Sequence, residues 1–399
     1  MKFFYILIAL THLFIIQSNA QFFSISGSVI DSVSGKPIEG AVVFIHQTTR
    51  FVYTDSTGNF KFDSLPGASV NVVCYKKAFQ LYEYAISKLA ANTIVKFSIT
   101  KNKQEDIATL PDSTLAKQKK QWQDIFLKQF LGSSDNAYAC EVANTGAIVY
   151  DYSAKENKIT VRAYEPILIF NESTGYLINC FLNDFTIDFK NNSTHWSGHL
   201  FFKPLTTKST VTEEEWKYNR ESTFQGSFMH FIRSAINDKL KQEGFEVSVY
   251  DRLYEYDANY KQMLVNAENK GTGFIKNENG DIVKVNYIDV PFIIKTPKDL
   301  IIQKDSAAGY KLLLQQNRMV RVVYKRKLAP TANYTNASPG FVNLIRSDYT
   351  VSLLIKSSEK DIIIEKNGNC YPENSLLFLG YWHWLGLADM LPLNYMYRQ

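Results

Sequence analysis

Ser24-Ile25-Ser26-Gly27-Ser28-Val29-Ile30-Asp31 alternates apolar and polar residues, Ser34-Gly35-Lys36-Pro37 supplies a turn, and Ala41-Val42-Val43-Phe44-Ile45 resumes an extended apolar run. A period of two lets one face of each segment be buried while the other stays wet, which is the signature of a strand. The pattern repeats at once: Phe51-Val52-Tyr53-Thr54 leads through Asp55-Ser56-Thr57-Gly58 into Asn59-Phe60-Lys61-Phe62, with Phe60 and Phe62 on one side. Two successive hairpins are expected. Leu65-Pro66-Gly67 turns the chain again before Val70 to Tyr75, and Thr93 to Ile99 closes the set. About six or seven short strands within roughly 80 residues predict a small antiparallel β-sandwich.

Turn and strand residues together carry a resemblance. Gly27-x-Val29-x-Asp31, Gly35-x-Pro37-Ile38-x-Gly40-Ala41-x-Val43, Thr54-Asp55-x-x-Gly58-x-Phe60-x-Phe62 and Leu65-Pro66 stand in the order and spacing of the carboxypeptidase regulatory-like domain, a transthyretin-like (Ig-like) sandwich, which this segment resembles. The resemblance implies a folding, docking or scaffold role in exported proteins of the Gram-negative envelope. It also raises the question of an accompanying peptidase. Such a zinc enzyme needs a His followed by Glu three residues later, and none of His46, His195, His199, His230 and His383 is followed by Glu at that spacing.

The 399 residues carry 44 Lys and Arg against 39 Asp and Glu, a net charge of +5, with no run of cations dense enough for a nucleic-acid footprint. Aromatics at 14% and hydrophobic residues at 45% exclude a disordered chain and favour sheets. Residues 1–20 read as a signal peptide: Met1-Lys2, an apolar stretch from Phe3 to Ile16, then Gln17-Ser18-Asn19-Ala20 with small residues where a signal peptidase cuts. The apolar stretch is shorter than the roughly 20 residues that span a bilayer. Export, with a mature chain starting at Gln21 and a periplasmic, outer-membrane-associated or secreted destination, is the expectation. Cys74, Cys140, Cys180 and Cys370 could then pair in three ways; the apolar settings of Cys74 and Cys180 read as buried free thiols. The sequons at Asn171, Asn191, Asn192, Asn333 and Asn336 matter only in a glycosylating host.

After a sandwich over 21–100, the polar residues 101–116 read as a linker, and 117–399 as one α+β domain built on a large antiparallel sheet. Leu115 to Leu131 sets Trp122, Phe126 and Phe130 at helical spacing, and Gly132 stops it. Strand-like segments follow at 146–152, 158–164, 167–170, 176–189, 199–202, 311–324, 349–355 and 361–365, with Asn279-Gly280-Asp281 as a hairpin signal. This region resembles the long partner segment that follows the regulatory-like domain in exported proteins of undetermined activity. Asn136-Ala137-Tyr138-Ala139-Cys140, Trp216-x-x-Asn219-Arg220, Gly226-Ser227-x-x-His230-Phe231-x-Arg233 and Leu391-Pro392-x-Asn394-Tyr395 carry that resemblance.

Five motifs bear on chemistry. His195-Trp196-Ser197-Gly198-His199 has metal-ligand spacing on a helix, but helix breakers surround it, and on an extended chain residues four apart lie about 13 Å from each other. No metal and no cofactor is expected. Thr212 followed by Glu213-Glu214-Glu215 opens a helical stretch toward Leu240, with Phe224, Phe228, Phe231, Ile232 and Ala235 on its core side and Gly226 a candidate break. Its opposite side carries Arg220, Thr223, Ser227, His230 and Asn237, with Arg233 nearby, and could hold an anion or carboxylate. The nucleophile elbow of a serine hydrolase is not written around Ser227. Gly271-Thr272-Gly273 and Gly35-Lys36-Pro37 lack the remaining residues of nucleotide loops and read as turns. Gly380-Tyr381-Trp382-His383-Trp384-Leu385-Gly386 could stack on a sugar ring or a peptide side chain but reads first as core. The function expected is a non-catalytic binding or structural protein of the bacterial envelope, its partner an envelope protein, peptide or glycan and not nucleic acid. The alternative is an exported hydrolase with a polar site around Arg220 and His230.

Overall fold

The computed structural model describes residues 22–397 except 103–112, 191–192, 265–266, 268, 277–281, 293–301, 306–308, 317, 331–344, 346 and 373. The expected signal peptide, most of the linker, the Asn279-Gly280-Asp281 turn and the sequons at Asn191, Asn192, Asn333 and Asn336 lie outside the described residues.

Seven strands form the N-terminal sandwich: β1 (Phe22–Asp31), β2 (Val42–Ile45), β3 (Phe51–Tyr53), β4 (Asn59–Pro66), β5 (Val70–Tyr75), β6 (Tyr82–Ile86) and β7 (Thr93–Ile99). They make two sheets, ordered β4-β1-β7 and β3-β2-β5-β6. Ile25, Val29, Phe60, Phe62, Val95 and Phe97 from the first meet Val43, Val72 and Cys74 from the second in one buried core. The two expected hairpins are corners between sheets: β1 pairs with β4 and β7, while β2 pairs with β3 and β5. Alternation fixes which residues face the core, and in a sandwich both sheets share that core, so alternation does not choose a strand's neighbours. The β1–β7 pair is parallel, an exception to the antiparallel expectation.

Helix α1 (Ser113–Leu131) follows, and its Phe126 and Phe130 are fully buried and stacked on one another. Gly132 ends it at φ +94°, where a Cβ would meet Gly386 N at 2.5 Å. After the one-turn α2 (Asp135–Tyr138), strands β8 (Cys140–Val142), β9 (Ile148–Ser153), β10 (Lys158–Ala163), β11 (Ile167–Asn171), β12 (Tyr176–Asp188) and β13 (Ser193–Pro204) form a six-stranded antiparallel sheet. Two helices, α3 (Thr210–Phe224) and α4 (Phe228–Ile236), lead into a second six-stranded sheet. Its strands are β14 (Phe245–Tyr254), β15 (Asn269–Lys276), β16 (Ile282–Phe292), β19 (Arg318–Leu328), β20 (Tyr349–Lys356) and β23 (Leu376–Gly380), with the short α5 (Tyr260–Met263) after β14. A four-stranded sheet of β17 (Ile302–Asp305), β18 (Gly309–Leu312), β21 (Ile362–Ile364) and β22 (Cys370–Tyr371) completes it, and α6 (Tyr381–Trp384) follows β23.

The protein is mainly β, as expected, but the single large sheet foreseen for the C-terminal region is three sheets. They serve three cores, one around Phe126, Phe185 and Phe202, one around Phe231, Phe245 and Trp382, and a smaller one around Met319, Val323 and Leu353. Gly271-Thr272-Gly273 is not a turn: it lies inside β15, where the bare Cα of Gly271 makes room for the Tyr287 ring, 2.6 Å from where a Cβ would sit. Tyr381 and Trp382 are buried against the second core, so the C-terminal aromatic run packs inward. Among the described residues no helix is long and apolar enough to cross a membrane.

Candidate ligand-binding site around Arg220 and His230

Ser209 caps α3 by accepting a hydrogen bond from Thr212 N, one turn before the expected start. The helix stops after Phe224, where Gly226 takes φ +78°, and α4 restarts with Ser227 as its cap, its Oγ accepting from His230 N at 3.1 Å. A Cβ on Gly226 would lie 2.6 Å from the Tyr324 ring, so only glycine permits this bend against β19. The break divides the expected polar stripe.

Arg220 remains on α3. Its Nε donates to Thr174 O at 2.6 Å and its Nη2 to Gly175 O at 3.3 Å, while the guanidinium lies 4.4 Å over the Tyr176 ring. Ser227 is occupied as a cap. His230 points into the second core, with its ring between Phe224, Phe245 and Tyr324. Gly226 N donates to His230 Nδ1, which leaves the proton of the neutral ring on Nε2, 3.5 Å from Glu243 Oε2. Burial pushes the imidazole down to about 4 against the opposing pull of Glu243. Arg233 donates to the carbonyls of Asn367, Leu393 and Tyr395 and stands over Phe224; burial lowers it to about 10. The four residues therefore share a neighbourhood but not a common opening: each has an intramolecular partner.

The motif residues of the C-terminal region converge on a partly buried polar junction nearby. Asn136 Nδ2 donates to Asp389 Oδ1 at 2.9 Å and to Thr223 Oγ1 at 2.8 Å, and its Oδ1 accepts from Ser173 Oγ at 2.6 Å. Ser134 Oγ donates to Asp389 Oδ2 at 2.7 Å. Burial raises the Asp389 carboxyl above the usual carboxylate range, and the Ser134 and Asn136 donors hold it back. Asn219 donates to Ser173 O, Trp216 Nε1 to Glu172 O, and Asn171 to Ala388 O. Asn171 is fully buried, so its sequon is closed to a glycan in the folded chain. Asp389 escaped the sequence reading; its signal is a lone acid inside the otherwise apolar run from Leu376 to Met390.

The junction extends to the sandwich. Asn394 and Thr49 exchange hydrogen bonds, and Gln47 accepts from Leu393 N. Residues 46–48 stitch onto the open edge of β13: Leu200 N donates to His46 Nδ1, Gln47 N to Leu200 O, and Phe202 N to Thr48 O. Val42, Phe44 and Val73 of the sandwich pack with Phe181 and Phe201 of β12 and β13 into one apolar cluster. His199 of β13 meets Glu83 of β6 at 3.2 Å, whereas His195 lies exposed further along the same strand. No group of three or more His, Cys, Asp or Glu is gathered for a metal among the described residues. All four cysteines are free, each pushed up to about 12, chiefly by burial.

A family model of the carboxypeptidase regulatory-like domain matches residues 24–100. No curated protein matched the sequence. Among solved structures, the chain is similar to part of a type II cohesin–X-dockerin complex from Acetivibrio cellulolyticus, at 21% identity and a TM-score of 0.18, covering 20% of this chain and 58% of that one. It is also similar to a minor pilin of Streptococcus agalactiae, at 13% identity and a TM-score of 0.18, covering 23% of this chain and 48% of the pilin. A putative carbohydrate binding protein from Bacteroides uniformis matches at 10% identity and a TM-score of 0.17, covering 68% of this chain and 98% of that one. TM-scores this low carry no argument about what this chain binds. What the family match and the two-sheet architecture establish together is that residues 24–100 are a carboxypeptidase regulatory-like domain.

Proposed function

We propose that the chain is an exported, non-catalytic binding or structural protein of the bacterial envelope, in which the regulatory-like sandwich and the sheet-rich body act as one unit toward a protein, peptide or glycan partner. One observation carries this reading. The outer face of β3-β2-β5-β6 is buried on the body through Phe44 and Val73, while the outer face of β4-β1-β7 is open, with Ile94 73% exposed. A shallow depression of about 640 Å³ lies along that open side, bordered by Ser26, Ser28, Tyr53, Lys61 and Ile94. The docking face of the accessory domain is therefore the β4-β1-β7 sheet and its edges. Arg220, Ser227, His230 and Arg233 serve in this reading as fasteners of the body, through the carbonyl, cap and ring contacts described above.

The test is fractionation of cells expressing the tagged full-length chain, with crosslinking and mass spectrometry. The reading expects a chain beginning at Gln21 in the envelope fraction and crosslinks from the Ile94–Lys96 face, reduced several-fold by Ile94→Asp. A cytosolic chain that retains residues 1–20, or ester or peptide hydrolysis abolished by His230→Gln in a folded variant, would overturn it in favour of no export or of a hydrolase.

A further inference from the structure

Far from the junction, Tyr254 ends β14 and Tyr256 lies in the turn that follows it, with the two ring centroids 5.5 Å apart and planes 11° from parallel. Tyr256 is 61% exposed, so the side of its ring turned away from Tyr254 is open to solvent. The segment beneath the rings is held firmly. Asp257 Oδ2 accepts from Tyr254 N at 2.6 Å, Glu255 N donates to Asn286 O, and Asn286 Nδ2 returns a bond to Glu255 Oε2. Around the pair is a depression of about 450 Å³ bordered by Leu253, Asp257, Asn259 and Gln316.

We propose that this depression is a binding site for a neutral pyranose sugar, as a unit of an oligosaccharide. The chemistry of the lining selects that class. A flat, exposed ring held by a second ring offers an apolar face to the C–H side of a pyranose at little entropic cost, since neither ring has to be ordered on binding. Asn259 and Gln316 each bring a carboxamide able to donate and accept, and Asp257 keeps one carboxylate oxygen clear of its turn bond, a set suited to vicinal hydroxyls. The Asp257 carboxylate, with no cation lining the depression among the described residues, disfavours phosphate or carboxylate ligands. The volume suits one or two sugar rings and not a folded partner. This inference rests on the binding reading above and names a ligand class for the body as distinct from the sandwich.

The experiment is calorimetric titration of the full chain with three probes, maltohexaose, cellohexaose and N-acetylchitohexaose. At least one is expected to bind with a Kd below about 1 mM. Tyr256→Ala should weaken that binding by at least about tenfold with an unchanged melting temperature, while Tyr256→Phe, which keeps the ring face, stays within about threefold. Absence of heat with all three probes, or equal binding by Tyr256→Ala, would overturn the proposal. If Tyr256→Ala loses the sugar yet still crosslinks through the Ile94 face, both readings stand; if no probe binds and that crosslink persists, only the sugar site fails.

Discussion

Phe44 of the sandwich stacks on Phe181 of the body with ring centroids 5.0 Å apart and planes 17° from parallel, and both rings touch Phe201. A residue of one sheet face thereby becomes core shared between two parts of the chain. Phe44→Ala should remove about 3–5 kcal/mol of stability in urea unfolding, since the ring is fully buried and the sheets on either side cannot collapse into the gap. The same variant should expose residues 46–49 to limited proteolysis, because their bonds to Leu200, Phe202 and Asn394 depend on that seating.

Asn136 and Asp389 form the centre of the polar junction, and truncating either removes a partner from the other inside a partly buried network. Asn136→Ala should cost about 1–3 kcal/mol, as should Asp389→Ala. Their effects should fall short of additive by at least about 0.5 kcal/mol in a double-mutant cycle, because each removes the same bond. Additive losses would show that the two side chains act separately.

His230 sets a pH dependence. Its folded value of about 4 lies below the ordinary 6.5, so the unfolded chain takes up the proton first as pH falls. The stability contributed by the neutral ring is complete above about pH 6.5 and is lost on descending toward about pH 4, by roughly 1.4 kcal/mol for each pH unit. Glu243, Arg233 and Arg326 are the charged groups that act on it, the carboxylate resisting this loss and the two cations adding to it. His230→Gln should flatten the profile of unfolding free energy between pH 6.5 and 4; a slope equal to that of the parent would assign the acid sensitivity elsewhere.

Gly226→Ala places a methyl group 2.6 Å from the Tyr324 ring and at φ +78°, so it should destabilise by about 2 kcal/mol or more, measured by thermal unfolding. Gly146→Ala, where a Cβ meets nothing within 4 Å and φ is not left-handed, should stay within about 0.5 kcal/mol.

Many of the strands were legible because alternation is a local signal, and the aromatic stripe of α1 was legible because Phe126 and Phe130 recur at the helical period; β6 (Tyr82–Ile86) and the ten-residue β14 (Phe245–Tyr254) were not read. The turn chemistry of Gly35, Thr54 and Gly58 was specific enough to place residues 24–100 in their family. The fates of Arg220, His230 and Arg233 were not legible: a guanidinium over an acceptor-rich loop and one over a ligand read alike in one dimension. Gly226 was the only hint that the stripe would be divided.

Local chemistry, written residue by residue, determined many of the strand segments, where α1 stops and which face of those elements is apolar. Pairing between sheets, the turn of His230 into the core, and the meeting of Thr49 with Asn394 across 345 positions were decided only by tertiary structure. Burial periodicity says that a side chain must find cover but carries no information about which distant surface provides it; that choice belongs to the packing of the whole chain.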